Sequence, residues 1–264
     1  MNNEEFSILL EYFSFSWAGY QKVKKGVKKR ILRHMKELGC RDMSDYIKQL
    51  EADSAVKYDC ERLLTVPVSR FFRDYRLWEI LPEKILPRFF AKQTLRVWSA
   101  GCAGGEEIYS FKMIWEQLKD KYSDLPNLQI TASDLNPENL NRAQKGIYPA
   151  SSFKETPGEI RERFFEKGPT RKTWTIKSHL KSGITWNTLN LLKGLPQDRT
   201  FDIIFLRNNI LLYASAELKM SGFKNVINAL AENGVLIIGT KDALPKGVSG
   251  FKNVELSYVF CKIF

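Results

Sequence analysis

The segment "LRVWSAGCAGGEEIYSF", from Leu95 to Phe111, decides the fold. A short apolar run leads into glycines and small residues, and two adjacent glutamates then open a helical pattern. A glycine turn between a strand and a helix usually receives a ligand, because glycine lets the ligand approach the backbone closely. The segment therefore predicts a binding site at the carboxyl end of a first strand.

Strands and helices alternate through the chain after Lys92. This rhythm is typical of an α/β protein with a parallel, doubly wound sheet. The predicted strands are "LRVWSA", "LQITASD", "FDIIFLRN", "GVLIIGT" and "ELSYVFCKIF", and the predicted helices run from Gly105 to about Asp120, from Pro137 to Lys145 and from about Ala216 to Ala231.

The rhythm is interrupted between Tyr148 and Asn190. The runs "RKTWTIKSHL" and "GITWNTLNLL" are rich in β-branched and aromatic residues and nearly alternate in polarity. They predict a small antiparallel β insert, at about residues 160–187, beside the main sheet.

The first 90 residues have helical patterns and predict an N-terminal helical domain, with residues 91–264 as a second domain. From Lys22, apolar residues recur at helical spacing and Gly39 fits a C-terminal cap. No acid lies between Tyr12 and Lys36, so one helix face is either an ordinary solvated surface or a docking surface for an acidic partner. We call its cations the basic ridge: Lys22, Lys25, Lys29, Arg33 and Lys36.

The net charge of +11 also favours an acidic partner, because such a field steers anions toward the protein. Nucleic acid, an anionic membrane and an acidic protein all fit this charge. No apolar run approaches the roughly 18 residues of a membrane span, and the acidic N-terminus is unlike a signal peptide. We expect a cytoplasmic protein without membrane insertion. The four cysteines form no C-x-x-C pair and there are two histidines, so we expect reduced thiols and no metal site.

The acids of the glycine turn restrict its ligand. The turn matches neither G-x-G-x-x-G nor G-x-x-x-x-G-K-[ST], and Glu106 and Glu107 would repel a pyrophosphate. A ligand with positive charge suits them.

Asp134 ends the second predicted strand, 30 residues after Gly104. A carboxylate at this place accepts hydrogen bonds from a ribose diol in nucleoside-binding folds, although an aspartate before Asn-Pro is also a good helix N-cap. A ribose together with a cationic group fits S-adenosylmethionine.

Several segments resemble, in the same order, the signature segments of the CheR family of chemotaxis receptor methyltransferases. The resemblance extends over nearly the whole chain, and the longest motifs are unusual ones. The segments are "TVPVSRFFRD", "RVWSAGCAGGEEIYS", "ASDLNPENLNRAQKGIY", "LNLL", "FDIIFLRNNILLY" and "LAENGVLIIG".

The resemblance implies a Rossmann-like class I methyltransferase sheet and methyl transfer from S-adenosylmethionine to chemoreceptor glutamates, leaving S-adenosyl-L-homocysteine. It implies a catalytic role for Arg73, and Tyr213 is a second catalytic candidate. It implies that the basic ridge docks on the acidic methylation region of the receptor. The implied cofactor contacts are Ser69, Arg73, Glu107, Asp134, Asn190, Leu191, Asn208 and Asn209.

A glutamate substrate needs no general base, because its carboxyl group, with a pKa of about 4.3, is already ionised at neutral pH. The absence of histidine from these motifs agrees with such a reaction. We expect a monomer that does not bind nucleic acid, since no nucleic-acid reader motif accompanies the charge.

Three departures from the family pattern affect the acceptor side. Pro67 replaces an asparagine, Leu212 takes the place of a tyrosine so that Tyr213 is displaced by one, and "GTKD" at 239–242 replaces G-H-S-E. Two alternatives therefore stay open. One is a methyltransferase for another protein or a small molecule, and the other is a catalytically silent receptor-binding relative.

Overall fold

An N-terminal group of helices is followed by an α/β sheet, in the order that the sequence predicts. The structure is a computed structural model that describes residues 1–66, 69–196 and 200–263. Pro67, one of the departures from the family motif, lies outside the described residues.

Side-chain caps define the starts of several N-terminal helices. These helices are α1 (Asn3–Tyr12), α2 (Trp17–Tyr20), α3 (Lys24–Glu37), α4 (Met43–Ala52) and α5 (Ser54–Leu64). Asn2 and Glu5 form a reciprocal capping box at α1, in which Asn2 Oδ1 accepts from the Glu5 N–H at 2.9 Å. Asp42 and Asp53 accept backbone N–H groups at the starts of α4 and α5.

Helix α3 has the predicted amphipathic form. Val27, Ile31 and Met35 are buried, whereas every residue of the basic ridge is exposed. Gly39 follows the helix with a φ of +71°, in the left-handed conformation of a C-terminal cap. Within the described residues no ion pair joins the basic ridge to an acid, so the ridge presents its charge to solvent.

Prolines divide the next segment into short turns. These turns are α6 (Tyr75–Ile80), a π-helical turn (Leu81–Ile85) and a 3-10 turn (Leu86–Phe89). Phe71 and Trp78 are buried in the core of the sheet, whereas Leu64 belongs to a separate core formed by the preceding helices. The predicted domain boundary near residue 90 stays a prediction, and the change of core lies between Leu64 and Phe71.

The rest of the chain alternates strands with helices. The strands are β1 (Thr94–Ala100), β2 (Asn127–Asp134), β3 (Ile147–Pro149), β4 (Phe165–Lys167), β5 (Thr173–Ile176), β6 (Ile184–Thr188), β7 (Phe201–Leu206), β8 (Leu230–Ile238), β9 (Phe251–Val254) and β10 (Leu256–Lys262). The helices are α7 (Glu106–Lys119), α8 (Pro137–Lys145), α9 (Gly158–Phe164), α10 (Ile210–Tyr213) and α11 (Ala216–Asn228).

Among the described residues, seven strands form the main sheet in the order β6-β2-β1-β7-β8-β10-β9. The first five in this order are parallel, and β10 is antiparallel to β8. Every residue of β7 is buried, as expected for a central parallel strand covered on both faces. This arrangement confirms the predicted α/β fold of the class I methyltransferase type. Because the parallel strands end at one edge of the sheet, the loops that follow β1, β2, β6 and β7 meet there.

The small antiparallel sheet exists, but the prediction of its strands is partly wrong. It has the order β3-β5-β4 in the described chain, so its first strand comes from Ile147–Pro149, before the predicted range. The run "ITWNT" instead forms β6 and extends the main sheet beside β2. Alternating polarity cannot distinguish these outcomes, because an edge strand of the main sheet is also half-exposed.

The sequence did not predict β9. Its residues are half-buried or exposed, and Val254 pairs with Leu256 in a tight antiparallel hairpin with β10. No helix of the described residues is long and apolar enough to cross a membrane. All four cysteines are free thiols.

Lys112 is an unusual residue in the core, because its ammonium group lies inside the protein. It is 7% exposed on α7, and its Nζ donates to the carbonyl oxygen of Ser182. Burial lowers the pKa of Lys112 to about 8. The unfolded chain therefore holds this proton more tightly than the folded protein does.

We expect Lys112→Met to raise the free energy of unfolding at pH 7 by about 1–2 kcal/mol, since the variant no longer buries a charge. The advantage should shrink between pH 8 and 10. In this range the folded lysine loses its proton while the unfolded one keeps it, so the stability of the unmodified protein rises relative to the variant. Urea unfolding at pH 7 and at pH 10 measures the difference in the free energy of unfolding between the variant and the unmodified protein.

Lys224→Met is the control, because Lys224 is an exposed residue of another helix, α11. It should leave the pH dependence of unfolding unchanged. A loss of stability in Lys112→Met that is equal at pH 7 and pH 10 would contradict the prediction.

Candidate functional site

A cleft opens where the loops after β1, β2, β6 and β7 meet. Helix α5 and the residues that follow it form the opposite wall. One part of the cleft lies beside Asp134 and Asn190 and the other beside Ser69, Arg73 and Glu107. The two parts are continuous, since both are lined by Val66, Gly101, Ala103 and Asn208.

The glycine turn forms the floor of the cleft. Gly101 has a φ of +86°, and its N–H donates to the Ser133 carbonyl at the end of β2. A Cβ atom at Gly101 would lie 2.6 Å from Asn209 Nδ2, so the turn has no space for a side chain here. Gly105 has a φ of +84° and begins α7. The glycines therefore satisfy both backbone conformation and close packing, as the sequence predicts.

Asp134 ends β2 and its carboxylate organises two loops. Oδ1 accepts from the Asn136 N–H at 2.8 Å and from Asn139 Nδ2 at 3.0 Å. Oδ2 accepts from the Ala103 N–H at 2.9 Å, which ties the glycine turn to β2. Burial raises the pKa of Asp134, and these three hydrogen bonds oppose the rise by stabilising the carboxylate. Oδ2 accepts only one of these hydrogen bonds and retains a lone pair for a ligand hydroxyl.

The residue that caps α8 is Asn136 rather than Asp134. Asn136 Oδ1 accepts from the Glu138 N–H at 3.0 Å. The alternative interpretation of Asp134 as the helix N-cap is therefore wrong, and its carboxylate is available to the cleft that it lines.

Asn190 and Leu191 lie together on the wall after β6. Asn190 Oδ1 accepts from the Leu192 N–H at 2.9 Å, and Asn190 Nδ2 donates to Glu61 Oε1 at 3.0 Å. Leu135 and Leu191 also line this part of the cleft and give it an apolar surface suited to a planar base.

Glu107 has a fixed orientation in the other part of the cleft. Oε1 accepts from Ser99 Oγ at 2.7 Å, and Oε2 pairs with Arg207 Nη1 at 3.1 Å. Glu107 is therefore partly neutralised by a cation that the sequence reasoning did not identify. Its side chain is 12% exposed and lines the cleft, so it remains a candidate acceptor for a ligand ammonium group.

Arg207 joins three segments of the chain. Besides Glu107, its guanidinium group binds the Asp74 carboxylate and donates to the Arg73 carbonyl at 3.0 Å. Asp74 has a φ of +60°, a left-handed conformation that is uncommon for a residue with a side chain. These bonds attach the motif segment around Arg73 to the end of β7 and to the glycine turn.

Ser69 and Arg73 line the cleft beside Glu107, as the family resemblance implies. The Arg73 carbonyl accepts from Trp78 Nε1 at 2.9 Å as well as from Arg207, so its backbone is fixed on both sides. Its half-buried side chain thus starts from a rigid support.

Asn208 and Asn209 both line the cleft after β7, and Asp242 supports the first of them. Asn208 has a φ of +55°, and its N–H donates to Asp242 Oδ2 at 2.8 Å. The Gly239 N–H donates to the same oxygen at 2.9 Å. Asn209 Nδ2 donates to the Ala100 carbonyl. The aspartate of "GTKD" therefore shapes this loop, although the segment departs from the family pattern.

Tyr213 lines the cleft together with Phe15 and Tyr20 from the N-terminal helices. The ring centroids of Tyr20 and Tyr213 are 4.9 Å apart. Burial raises the pKa of Tyr213, so its hydroxyl keeps the proton at neutral pH and can donate a hydrogen bond. Leu212, which takes the tyrosine position of the family, packs its carbonyl group against Gly19, where a Cβ atom would not fit. The displaced tyrosine thus still reaches the cleft, while its catalytic role stays a prediction.

Glu106, which the sequence left without a role, is buried away from water. It is 2% exposed, and Arg142 Nη2 lies 3.7 Å from Glu106 Oε1. Burial raises the pKa of Glu106, and the positive charge of Arg142 opposes the rise. The two adjacent glutamates therefore differ in function, since Glu107 lines the cleft and Glu106 links the start of α7 to α8.

Every site residue that the sequence predicts lines the cleft, which also contains residues that the sequence does not indicate. Arg207 lies in one of the family-like segments, but the resemblance implies no role for it. Its only signal in the sequence is its position directly after a buried strand. Phe15, Tyr20 and Glu61 gave no signal, because they come from helices whose packing on the sheet is decided by the tertiary structure.

The chemistry of the cleft fits S-adenosylmethionine. An acid lies where a ribose diol would bind and an apolar wall lies beside it. At the other end, Glu107 suits the amino group of the methionine moiety and Arg73 suits its carboxylate. The glycine floor gives the ligand a close approach to the backbone.

We expect Arg207→Met to lower the free energy of unfolding by about 2–4 kcal/mol, because it leaves two half-buried carboxylates without their buried cation. The side chain of Arg207 is 4% exposed, so water cannot replace it easily. Urea unfolding measures the loss. The stability of Arg207→Lys should lie between those of the unmodified protein and Arg207→Met.

Arg163→Met is the control, since Arg163 pairs with Asp120 at the surface with its side chain 46% exposed. Its loss should stay below about 1 kcal/mol. Equal losses in the two methionine variants would contradict the structural role of Arg207.

Comparison with known proteins agrees with this fit. The sequence matches the family model described as "CheR methyltransferase, SAM binding domain" over residues 67–260. A "Chemotaxis protein methyltransferase" from Listeria innocua serovar 6a is 32% identical over 222 residues, which cover 83% of this chain and 81% of that protein. "Chemotaxis protein methyltransferase Cher2" from Pseudomonas putida is 29% identical over 252 residues, or 91% of this chain and 90% of that protein.

Other similarities are more limited. The chain is 31% identical over 222 residues to an uncharacterised 104.1 kDa protein of Rhodobacter capsulatus, and the match covers 83% of this chain but 23% of that protein. The solved structure of the N-methyltransferase NodS from Bradyrhizobium japonicum WM9, in complex with S-adenosyl-L-homocysteine, covers 64% of this chain and 62% of its own at 16% identity, with a TM-score of 0.36. The family match covers well over half of the chain and confirms the resemblance of the motifs. The protein therefore belongs to the CheR methyltransferase family and is an S-adenosylmethionine-dependent methyltransferase.

Proposed function

We propose that this protein methylates glutamate side chains of chemoreceptors and forms glutamyl methyl esters in the course of chemotaxis. The observation that carries the proposal is the lining of the cleft beside Glu107, where Ser69 and Arg73 provide a hydroxyl group and a cation. The Arg73 guanidinium has five N–H donors, so it can bind the carboxylate of the cofactor and still donate to a substrate carboxylate beside it.

The bound cofactor supplies a methyl group on a sulfonium, and transfer joins the methyl carbon to a carboxylate oxygen while the methyl–sulfur bond breaks and sulfur keeps the electron pair. The residues of the chain have to align the carboxylate and remove water from it. We assign the alignment to Arg73, whose backbone Arg207 and Trp78 hold in place. No residue has to accept a proton, because the substrate is already an anion.

The remaining residues hold the cofactor in this proposal. Asp134 Oδ2 accepts from a ribose hydroxyl, and Glu107 accepts from the methionine ammonium group. Asn190 and Leu191 lie against the adenine. Ser69, Asn208 and Asn209 complete the contacts around the methionine end and the glycine turn.

Tyr213 acts as a hydrogen-bond donor in this proposal and not as a base. The raised pKa of its hydroxyl keeps it neutral, and the ring lies between Tyr20 and the loop after β7. A neutral donor beside the acceptor carboxylate orients the nucleophile without removing its charge.

The partner in this proposal is the acidic methylation region of a chemoreceptor. The exposed basic ridge of α3 provides a row of cations without paired acids in the described chain. Two extended arrays of opposite charge attract each other over about a Debye length and fix the orientation of the encounter.

We expect transfer from methyl-labelled S-adenosylmethionine to cytoplasmic fragments of the organism's own receptors, with the label released as methanol by mild alkali. An ester of a carboxyl group hydrolyses under these conditions, whereas an amine or thioether product keeps the label. Arg73→Met should reduce the rate by about a hundredfold or more, in keeping with the loss of a residue that orients the reactants.

Receptor fragments with glutamine in place of the glutamates are the matched control for this assay. Label that survives alkali would exclude a carboxyl ester and favour another protein or small molecule as substrate. Cofactor binding without any transfer would identify a catalytically silent receptor-binding protein.

We expect charge reversal of the ridge, by Lys25→Glu, Lys29→Glu and Arg33→Glu together, to raise the KM for the receptor fragment by about tenfold or more. The affinity for S-adenosyl-L-homocysteine should stay the same, because these residues do not line the cleft. The effect on KM should also decrease as salt is added.

The control reverses Lys224, Lys246 and Lys252 instead, which changes the net charge equally on exposed residues of the sheet domain. An equal rise in KM in both triple variants would mean that total charge, and not the ridge, attracts the receptor.

A further inference from the structure

One acid of the cleft has no role in the function proposed above. Glu61 lies on α5 of the N-terminal helical domain, is half-buried, and lines the cleft together with Asn190 and Leu191. The family resemblance assigned no cofactor contact to it, and its helix belongs to a different core from that of the sheet.

Glu61 is held in place by the residues around it on α5. Tyr58, one turn before it, donates to the Leu135 carbonyl at 3.2 Å. Arg62, the next residue, donates to Asn136 Oδ1 at 3.2 Å and pairs with Glu138 at 3.4 Å. These bonds fasten α5 to the loop after β2, on the other side of the proposed adenine position.

The hydrogen bond between Glu61 and Asn190 fixes the orientation of both groups. Asn190 Nδ2 donates to Glu61 Oε1, while Asn190 Oδ1 accepts from the Leu192 N–H. The Asn190 amide thus donates one hydrogen bond and accepts another, and a flip of the amide would break both. Among the described residues Glu61 forms no ion pair with a cation, so its remaining lone pairs are available to the cleft.

A carboxylate can only accept hydrogen bonds, so this wall selects a ligand edge that donates. The exocyclic amino group of adenine is such a donor. In hypoxanthine a carbonyl oxygen stands at the same place and would face the carboxylate with its lone pairs. The two bases have nearly the same size and stacking surface, so hydrogen bonding alone distinguishes them here.

We propose that Glu61 accepts a hydrogen bond from the exocyclic amino group of adenine and thereby determines the base specificity of the cofactor site. This inference rests on the cofactor placement proposed above. It gives the N-terminal helices a direct contact with the cofactor, through a residue that lies outside the motifs of the family resemblance.

The test compares the affinities of two ligands, S-adenosyl-L-homocysteine and S-inosyl-L-homocysteine, by titration calorimetry. We expect the unmodified protein to prefer the adenosyl ligand by about tenfold or more, because a polar site rejects a base that leaves its acceptor unpaired. In Glu61→Gln the preference should fall below about threefold, because the amide can donate to the hypoxanthine carbonyl. Glu61→Ala should also lose most of the preference.

Two control variants separate this role from others. Asp134→Ala removes the proposed ribose acceptor and should weaken both ligands by the same factor, which leaves the preference unchanged. Glu51→Gln removes an exposed acid of α4 and should change neither affinity. Far-ultraviolet circular dichroism and thermal unfolding establish that each variant is folded.

The outcomes distinguish the two levels of the proposal. If the unmodified protein binds neither ligand, the cofactor placement fails and Glu61 loses its role with it. If it binds the adenosyl ligand but Glu61→Gln keeps the full preference, the placement stands and the role of Glu61 is wrong. Equal affinity of the unmodified protein for both ligands overturns the role of Glu61 as well.

Discussion

The structure of the cleft depends on one buried cation, Arg207. Its guanidinium group binds Glu107 at the start of α7, the Asp74 carboxylate and the Arg73 carbonyl, so it joins the end of β7 to two other segments of the chain. Because desolvating an unpaired charge is very unfavourable, each of these segments stabilises the position of the others. Arg207 thus holds the backbone of Arg73, the proposed arginine on the acceptor side. It also holds the carboxylate of Glu107, the proposed acid at the methionine end, before any ligand binds.

A second constraint comes from the N-terminal helices, which form part of the wall of the cleft. Tyr20 packs on Tyr213, Ser16 donates its N–H to the Tyr213 carbonyl, and α5 is bonded to the loop after β2. The group of helices that carries the basic ridge therefore also lines the cleft. In the proposed function, the receptor and the cofactor both contact the same small helical core.

The charges of the cleft are distributed unevenly, and this polarity suits a ligand with a neutral nucleoside and a zwitterionic end. Glu61 and Asp134 provide acceptors at the nucleoside end, whereas Glu107, Arg207 and Arg73 mix both signs at the other end. Burial raises the pKa of Asp134, but its three hydrogen bonds favour the ionised form that a ribose diol needs. Fixed donors and acceptors of this kind do not have to reorganise when the ligand arrives.

The sequence by itself determined the sheet, the glycine turn, the basic ridge and the family, because strand and helix periodicity and the motifs after each strand are local properties. Through the family resemblance it also assigned Ser69, Arg73, Glu107, Asp134 and the two asparagines after β7 to one site. Only the tertiary structure decided that "ITWNT" joins the main sheet, that Glu106 is buried while Glu107 is not, and that Arg207 and Glu61 belong to the cleft. These outcomes depend on contacts between residues far apart in the chain, such as Arg207 with Asp74 and Glu61 with Asn190, and no local pattern encodes such contacts.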